Sequence, residues 1–128
     1  MDPISDLLIR IKNSQKAGLE TLEMPFSKIK FAVAKILAQE GFISGVERKG
    51  SKVKERLEVI LKYEQGVPAI QDLKRVSKPG QRHYIKTEKI KAIKQGYGTA
   101  IISTSQGLMT DKEAKKKRLG GEVLCEIW

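Results

Sequence analysis

Apolar and polar positions recur along the chain with two periods, and the changes of period mark its elements. Ile4, Leu7, Leu8 and Ile11 fall at i, i+3, i+4 and i+7, which gives a helix one apolar face. Asp2-Pro3 supplies a capping acceptor and then proline at the first helical position, and Gly18 is placed to end the helix. Leu19 to Met24 alternates loosely and stops at Pro25, the pattern of a short strand. Ser27 is a second N-cap. After it Ile29, Ala32, Val33, Ile36 and Leu37 trace a helical stripe that Gly41 closes. Phe42 to Lys49, a Gly50-Ser51 turn and Val53 to Tyr63 predict a hairpin, with Leu57, Val59, Leu61 and Tyr63 on one face of its second arm. The first half therefore reads α-β-α-β-β.

The boundary signal is Glu64-Gln65-Gly66-Val67-Pro68. Beyond it, Ala69 to Val76 predicts a strand, Ser77-Lys78-Pro79-Gly80 a turn, and Arg82 to Lys86 the return strand. Thr87 is placed to cap a short helix carrying Ile90 and Ile93. Gly96-Tyr97-Gly98 leads into a buried strand, Thr99 to Ser103, and Ser103 to Gly107 reads as a polar loop. Thr110 and Glu113 have capping-box spacing, so a helix is expected from Asp111 to about Leu119, ended by Gly120-Gly121. Glu122 to Trp128 alternates as a strand, with Val123, Cys125 and Ile127 on one side.

The expected fold class is α+β in two small lobes. Residues 1–65 form an N-terminal α/β lobe. Residues 66–128 form a C-terminal lobe, mainly β with short helices. Each lobe of about 60 residues would be marginal alone, so the two are expected to pack together.

Charge changes this picture most. Residues 1–73 carry 12 Lys/Arg and 10 Asp/Glu, residues 74–118 carry 13 and 3, and residues 119–128 carry none and 2. The whole net charge of +10 thus belongs to about a third of the chain. A positive field concentrated in this way points to a polyanion, against the competing reading of a solvated face with no partner. The chain has no long amphipathic helix to lie on a membrane, no run of about 18 apolar residues to cross one, and no basic leader region at Met1. Cys125 is the single cysteine, which fits a reduced, cytoplasmic setting. It is expected to be a small core residue.

Catalytic chemistry finds little support. His83 is the only histidine, and Ser103 and Ser105 lack a nucleophile elbow. Asp111 and Glu113 are better explained as residues of a helix start than as metal ligands, and Gly96-Tyr97-Gly98 lacks the third glycine of a dinucleotide fingerprint. No enzyme activity, metal or cofactor is expected.

Polynucleotide chemistry is better represented. Lys74, Arg75, Lys78, Arg82, Lys86, Lys89, Lys91 and Lys94 form one run of phosphate-neutralising cations, and Lys112, Lys115, Lys116, Lys117 and Arg118 form a second. Phosphate contacts position a protein but do not specify its site. Ser103, Thr104 and Ser105 add three consecutive hydroxyls suited to base edges and ribose 2′-OH groups, and Gly107 permits close backbone approach. Tyr84 and Tyr97 are candidates to stack on exposed bases, or equally to pack in the core with a surfaced hydroxyl. No helix-turn-helix or zinc finger is present in the basic half, so structured RNA ranks above DNA.

The segment Ser103-Thr104-Ser105-Gln106-Gly107-Leu108-Met109-Thr110-Asp111, followed by Gly120-Gly121-Glu122, resembles the C-terminal signature of the bacterial small-subunit ribosomal protein eight family. The opening from Asp2 to Asn13, Pro25 with Ser27-Lys28, Glu40-Gly41-Phe42-Ile43 and Arg75-Val76-Ser77-Lys78-Pro79-Gly80 match it too, in order along the chain. The resemblance implies a two-lobed α+β protein that binds the central domain of 16S ribosomal RNA directly and helps assemble the platform of the small subunit. It implies base and backbone contacts from Ser103, Thr104 and Ser105, a second contact region at Tyr84 after Arg82, and phosphate contacts from Lys28, Lys30 and Lys54. Gly107, Thr110, Lys78, Lys86, Lys112, Lys115 and Lys116 complete the candidate RNA-binding set. Small-subunit proteins five and twelve are the implied neighbours, and some members repress their own operon's messenger RNA. Two positions depart from the family's pattern: 115–118 is more basic, and Tyr97 replaces a smaller apolar residue. The alternative function is a non-specific nucleic-acid binder or RNA chaperone.

Overall fold

The computed structural model describes residues 2–128 and divides the chain into two compact units: Pro3–Ile70, and Gln71–Trp128 together with Asp2. The first unit contains helices α1 (Pro3–Lys16) and α2 (Lys28–Gln39) and strands β1 (Thr21–Pro25), β2 (Ile43–Lys49) and β3 (Arg56–Leu61). The strands form an antiparallel sheet in the order β1-β3-β2. The apolar stripes found in the sequence are buried: Ile4, Leu7, Leu8 and Ile11 from α1, Val33, Ile36 and Leu37 from α2, and Met24, Leu57, Val59 and Leu61 from the sheet. Ser27 caps α2, its hydroxyl accepting from the Lys30 N–H at 3.5 Å.

The β2–β3 connection is longer than the expected two-residue turn. It runs from 50 to 55, with the Lys54 N–H donating to the Ser51 carbonyl at 3.0 Å. A Cβ on Gly50 would lie 2.2 Å from the Lys54 carbonyl oxygen, so the connection requires glycine there. The turn signal at 64–68, taken from the sequence as a lobe boundary, closes a small hairpin of β4 (Tyr63–Glu64) and β5 (Val67–Pro68).

The second unit is a five-stranded antiparallel sheet centred on β10 (Gly121–Ile127). Strand β8 (Thr99–Thr104) flanks β10 on one side, and β9 (Gly107–Thr110) lies beyond β8. On the other side β10 pairs with both β6 (Leu73–Arg75) and β7 (Tyr84–Ile85). The expected strand 69–76 is thus confined to three residues, and its return strand pairs with β10 instead of with it. The turn between them is as expected. Lys78 and Gln81 exchange both backbone hydrogen bonds, and Gly80 takes the positive φ of +83° that follows proline in such a turn.

Three further expectations are corrected. Thr87 opens a 3-10 turn, Thr87–Lys89, without capping it by a side-chain hydrogen bond. The 103–107 segment is a tight hairpin instead of an open loop. Ser103 and Thr104 still belong to β8, Ser105 and Gln106 make the turn, and Gly107 opens β9 at φ +110°. Helix α3 (Asp111–Lys116) stops short of Leu119 because Arg118 enters the left-handed region at φ +57°.

Thr110 does cap α3, its hydroxyl accepting from the Glu113 N–H at 3.1 Å. Ala114 of α3 packs with Ile90, Ala100, Ile102 and Met109, and Ile85, Ile93, Leu119 and Val123 close around them. A bulge between Val123 and Cys125 breaks the alternation of β10, so Leu124 and Cys125 are both buried. Burial pushes the Cys125 thiol up to about 12, as suits an inert core residue. No helix of the described residues is long and apolar enough to cross a membrane.

Candidate nucleic-acid interface

The candidate groups sort to the two ends of β8. At its C-terminal end, strand register sets one rung across the sheet: Tyr84 faces Glu122, Glu122 faces Ser103, and Ser103 faces Leu108. Directly opposed residues of antiparallel strands project to the same face, so Tyr84 and Ser103 flank Glu122, about 10 Å apart across two strand spacings. Ile102, Val123 and Met109 occupy the next rung and project to the opposite face, against α3. Tyr84 is 74% exposed. Ser103 is half-buried, and Ser105 and Gly107 are exposed at the hairpin tip.

The three hydroxyls do different work. Thr104 Oγ1 donates to the Gly107 carbonyl at 2.9 Å and accepts from the Gln106 N–H at 3.1 Å, so it shapes the turn. Ser103 and Ser105 stand on either side of it. Thr110 is 3% exposed, and its hydroxyl is committed to capping α3. Its structural part in the site is to hold that helix in place.

Glycines bring the rung together. A Cβ on Gly121 would lie 2.2 Å from the Ser103 carbonyl oxygen, and one on Gly120 would lie 2.6 Å from the Ile85 carbonyl oxygen. The pair that the sequence marks as a helix stop is also what lets β10 enter between β8 and β7. Two other members of the site, Ser77 and Glu122, were not among the residues expected from the sequence, whereas Arg82 was. Ser77 Oγ donates to Glu122 Oε2 at 2.5 Å and accepts from the His83 N–H at 3.0 Å. Arg82 Nη1 pairs with the same carboxylate at 3.1 Å. The Ser77 hydrogen bond, and after it Arg82, hold the Glu122 carboxyl below its ordinary value. Arg82 therefore shares its charge with Glu122. The available signal was Glu122 itself, an acid beside the hydroxyl turn of a basic lobe.

Helix α3 follows β9 directly, and the basic residues spread from it towards both ends of β8. Lys112 Nζ donates to the Gly96 carbonyl at 3.4 Å, at the N-terminal end of β8. At the other end Gly120 lies against the Lys86 backbone. Lys78, Lys86, Lys115 and Lys116 are exposed, and among the described residues none of them or Lys112 forms an ion pair. Helix α3, which carries Lys112, Lys115 and Lys116, lies on the face opposite Ser103.

In the first unit the candidates separate. Lys28 and Lys54 are exposed. Lys30 is 8% exposed, with its ammonium 2.6 Å from Asp6 Oδ2, so it is engaged in a structural ion pair. Tyr97 is not with Tyr84. It lies beyond the N-terminal end of β8, six residues before the Ser103 rung.

The family described as Ribosomal protein S8 matches residues 2–128. The chain is similar to the small ribosomal subunit protein uS8 of Mycoplasmopsis synoviae, at 52% identity over 128 residues, covering 99% of this chain and 97% of that protein. It is 46% identical over 127 residues to the protein of the same name from Dictyoglomus turgidum, with 99% and 97% covered. It is 48% identical over 126 residues to that of Bordetella petrii, with 98% and 96% covered.

Proposed function

The chain belongs to the ribosomal protein S8 family, and from that premise we propose how it holds its RNA. It is a structural, RNA-binding protein of the small ribosomal subunit, in the cytoplasm, and the family is not one of enzymes. The cations of the second unit capture the phosphate backbone, and the hairpin tip at Ser105 then selects the site through hydroxyl contacts to base edges and ribose. Tyr84 stacks on an unpaired base beside that tip. The observation that carries this reading is the rung Tyr84–Glu122–Ser103, which sets an exposed ring and the Ser103 side chain on one face. Exposed Lys28 and Lys54 add phosphate contacts from the first unit.

The RNA is the central domain of 16S ribosomal RNA, and binding there helps build the platform of the subunit. Small-subunit proteins five and twelve are the neighbours. The chain also represses its own operon's messenger RNA by binding a copy of the ribosomal site. The family resemblance supports these finer assignments.

Footprinting on full-length 16S ribosomal RNA tests the reading. Protection confined to the central domain is the expected result; protection scattered along the molecule would overturn it. Ser105→Ala should weaken binding to the protected hairpin by about 1 kcal/mol, the worth of one buried hydrogen bond. It should leave binding to random RNA unchanged. Competition by duplex DNA at about 200 mM salt separates this site from a charge-only binder, whose affinity decays steeply with salt.

A further inference from the structure

We infer that the 94–97 loop is a second RNA contact, an aromatic platform on which the Tyr97 ring takes one unpaired base, at the opposite end of β8 from the hydroxyl turn. The inference rests on the RNA-binding reading above and adds a site to it.

The loop's conformation costs energy and is nonetheless held from several sides. Lys94, Gln95 and Gly96 take positive φ in succession, at 48°, 57° and 94°. The left-handed region is unfavourable for a side chain, and two adjacent non-glycine residues in it persist only where their surroundings fix them. Lys94 Nζ sits 4.6 Å above the Trp128 ring. Lys112 Nζ donates to the Gly96 carbonyl, and the Gly98 N–H donates to the Ile93 carbonyl at 3.0 Å. Gly98 has no room for a Cβ, which would meet Ile93 Cγ2 at 2.6 Å and the Ile127 carbonyl oxygen at 3.0 Å.

This fixed loop leaves its one aromatic ring outside. Tyr97 is 86% exposed, while the core beneath is closed by Ile93. A single exposed tyrosine ordinarily needs no explanation. A tyrosine on a constrained loop between Lys94 and Lys112 has the composition of a stacking platform, since every base has a π-face and the cations hold the adjoining phosphates.

Position makes the site distinct. From Gly98 to Thr104 is six residues, about 20 Å of strand. One base cannot reach both Tyr97 and Ser105. The two ends therefore grip different nucleotides, while α3 and its cations lie on the face opposite Ser103.

The test is footprinting and filter binding of the full chain on full-length 16S ribosomal RNA, with Tyr97→Ala, Tyr97→Leu and Tyr97→Phe. Stacking needs the ring and not the hydroxyl. Ala and Leu should therefore weaken binding roughly 5- to 100-fold, and Phe should stay within about 2-fold of wild type. Tyr97→Ala should unprotect one block of nucleotides and Ser105→Ala a different one. The salt slope should not change in Tyr97→Ala and should fall by about one in Lys112→Ala. A wild-type chain that leaves the RNA unprotected overturns the RNA reading and this inference with it. A wild-type footprint that Tyr97→Ala leaves whole, at wild-type affinity, overturns this inference alone, and so does a Phe variant as weak as Ala. In the first of those cases Tyr97 would belong to a contact with a neighbouring protein.

Discussion

The two units treat their charges in opposite ways. In the first, cations face carboxylates: Arg10 and Lys30 meet Asp6, Arg48 meets Glu55, Lys49 meets Glu58, and Arg56 meets Glu23. One rung of its sheet sets Glu23, Glu58 and Glu47 side by side, and the Glu58 hydrogen bond holds the Lys49 ammonium above its ordinary value. In the second unit Arg82 shares Glu122 and Arg75 meets Asp2, while Lys112, Lys115 and Lys116 form no ion pair among the described residues. Charges paired within a fold are spent on the fold. Charges left unpaired repel one another and await an external anion, so the second unit is the one whose sequence describes a ligand.

The strongest way to break that comparison is to remove the geometry and keep the charge. Gly121→Ala drives a Cβ into the Ser103 carbonyl oxygen, 2.2 Å away in the present backbone. Relief requires β10 to move off β8. We expect a loss of about 3 kcal/mol, read as a fall of roughly 10 °C in melting midpoint, and loss of selectivity for the cognate hairpin. If the variant melts normally and still selects its RNA, the rung is not what distinguishes the second unit.

The reverse experiment keeps the geometry and removes the charge. The combined Lys112→Ala, Lys115→Ala, Lys116→Ala variant should lose roughly 100-fold in affinity at low salt, with the log–log salt slope reduced by about two to three, equally for cognate and random RNA. Lys49→Ala in the first unit, where the cation is paired with Glu58, should leave affinity within about 2-fold. Equal losses from the two variants would erase the distinction between the units.

Local signals made much of this legible in advance. Helices α1 and α2 could be read because a 3.6-residue stripe, a capping residue and a closing glycine agree at each. The basic third of the chain could be counted directly. The Ser103–Gly107 segment stands out in sequence as a run of hydroxyls ended by glycine, but its form does not. Strand β9 has only four residues, too few to show a period, and a two-residue turn looks like a loop when polar residues continue on both sides. The pairing of β6 and β7 with β10 was hidden for a different reason. Their partner lies 36 to 54 residues away, and nothing local in 69–86 distinguishes pairing with each other from pairing with a common third strand. Tyr84 and Tyr97 looked alike in sequence for the same reason. Only the register of β8 places one beside Ser103 and the other about 20 Å from it.

The smallest expected effect concerns pH, and it compares one carboxylate from each unit. Lys30, and after it Arg10, hold Asp6 below its ordinary 3.8, and Ser77, and after it Arg82, hold Glu122 below its ordinary 4.5. A carboxyl group with a depressed value in the folded chain adds stability that is fully present above its unfolded value. That stability is lost as pH falls through the folded one. Stability should thus be level from about pH 7 to about pH 5 and decline below about pH 4.5. Glu122→Gln keeps an acceptor for the Ser77 hydroxyl and removes the titration. It should cost about 1 kcal/mol at neutral pH and flatten the upper part of the decline, with Asp6→Asn flattening the lower part. Melting midpoints measured from about pH 3 to about pH 7 decide the matter. If the Glu122→Gln curve runs parallel to wild type through that interval, the carboxylate at the hydroxyl turn carries no linked stability. Its place beside Ser103 would then have to be explained by something other than the fold it closes.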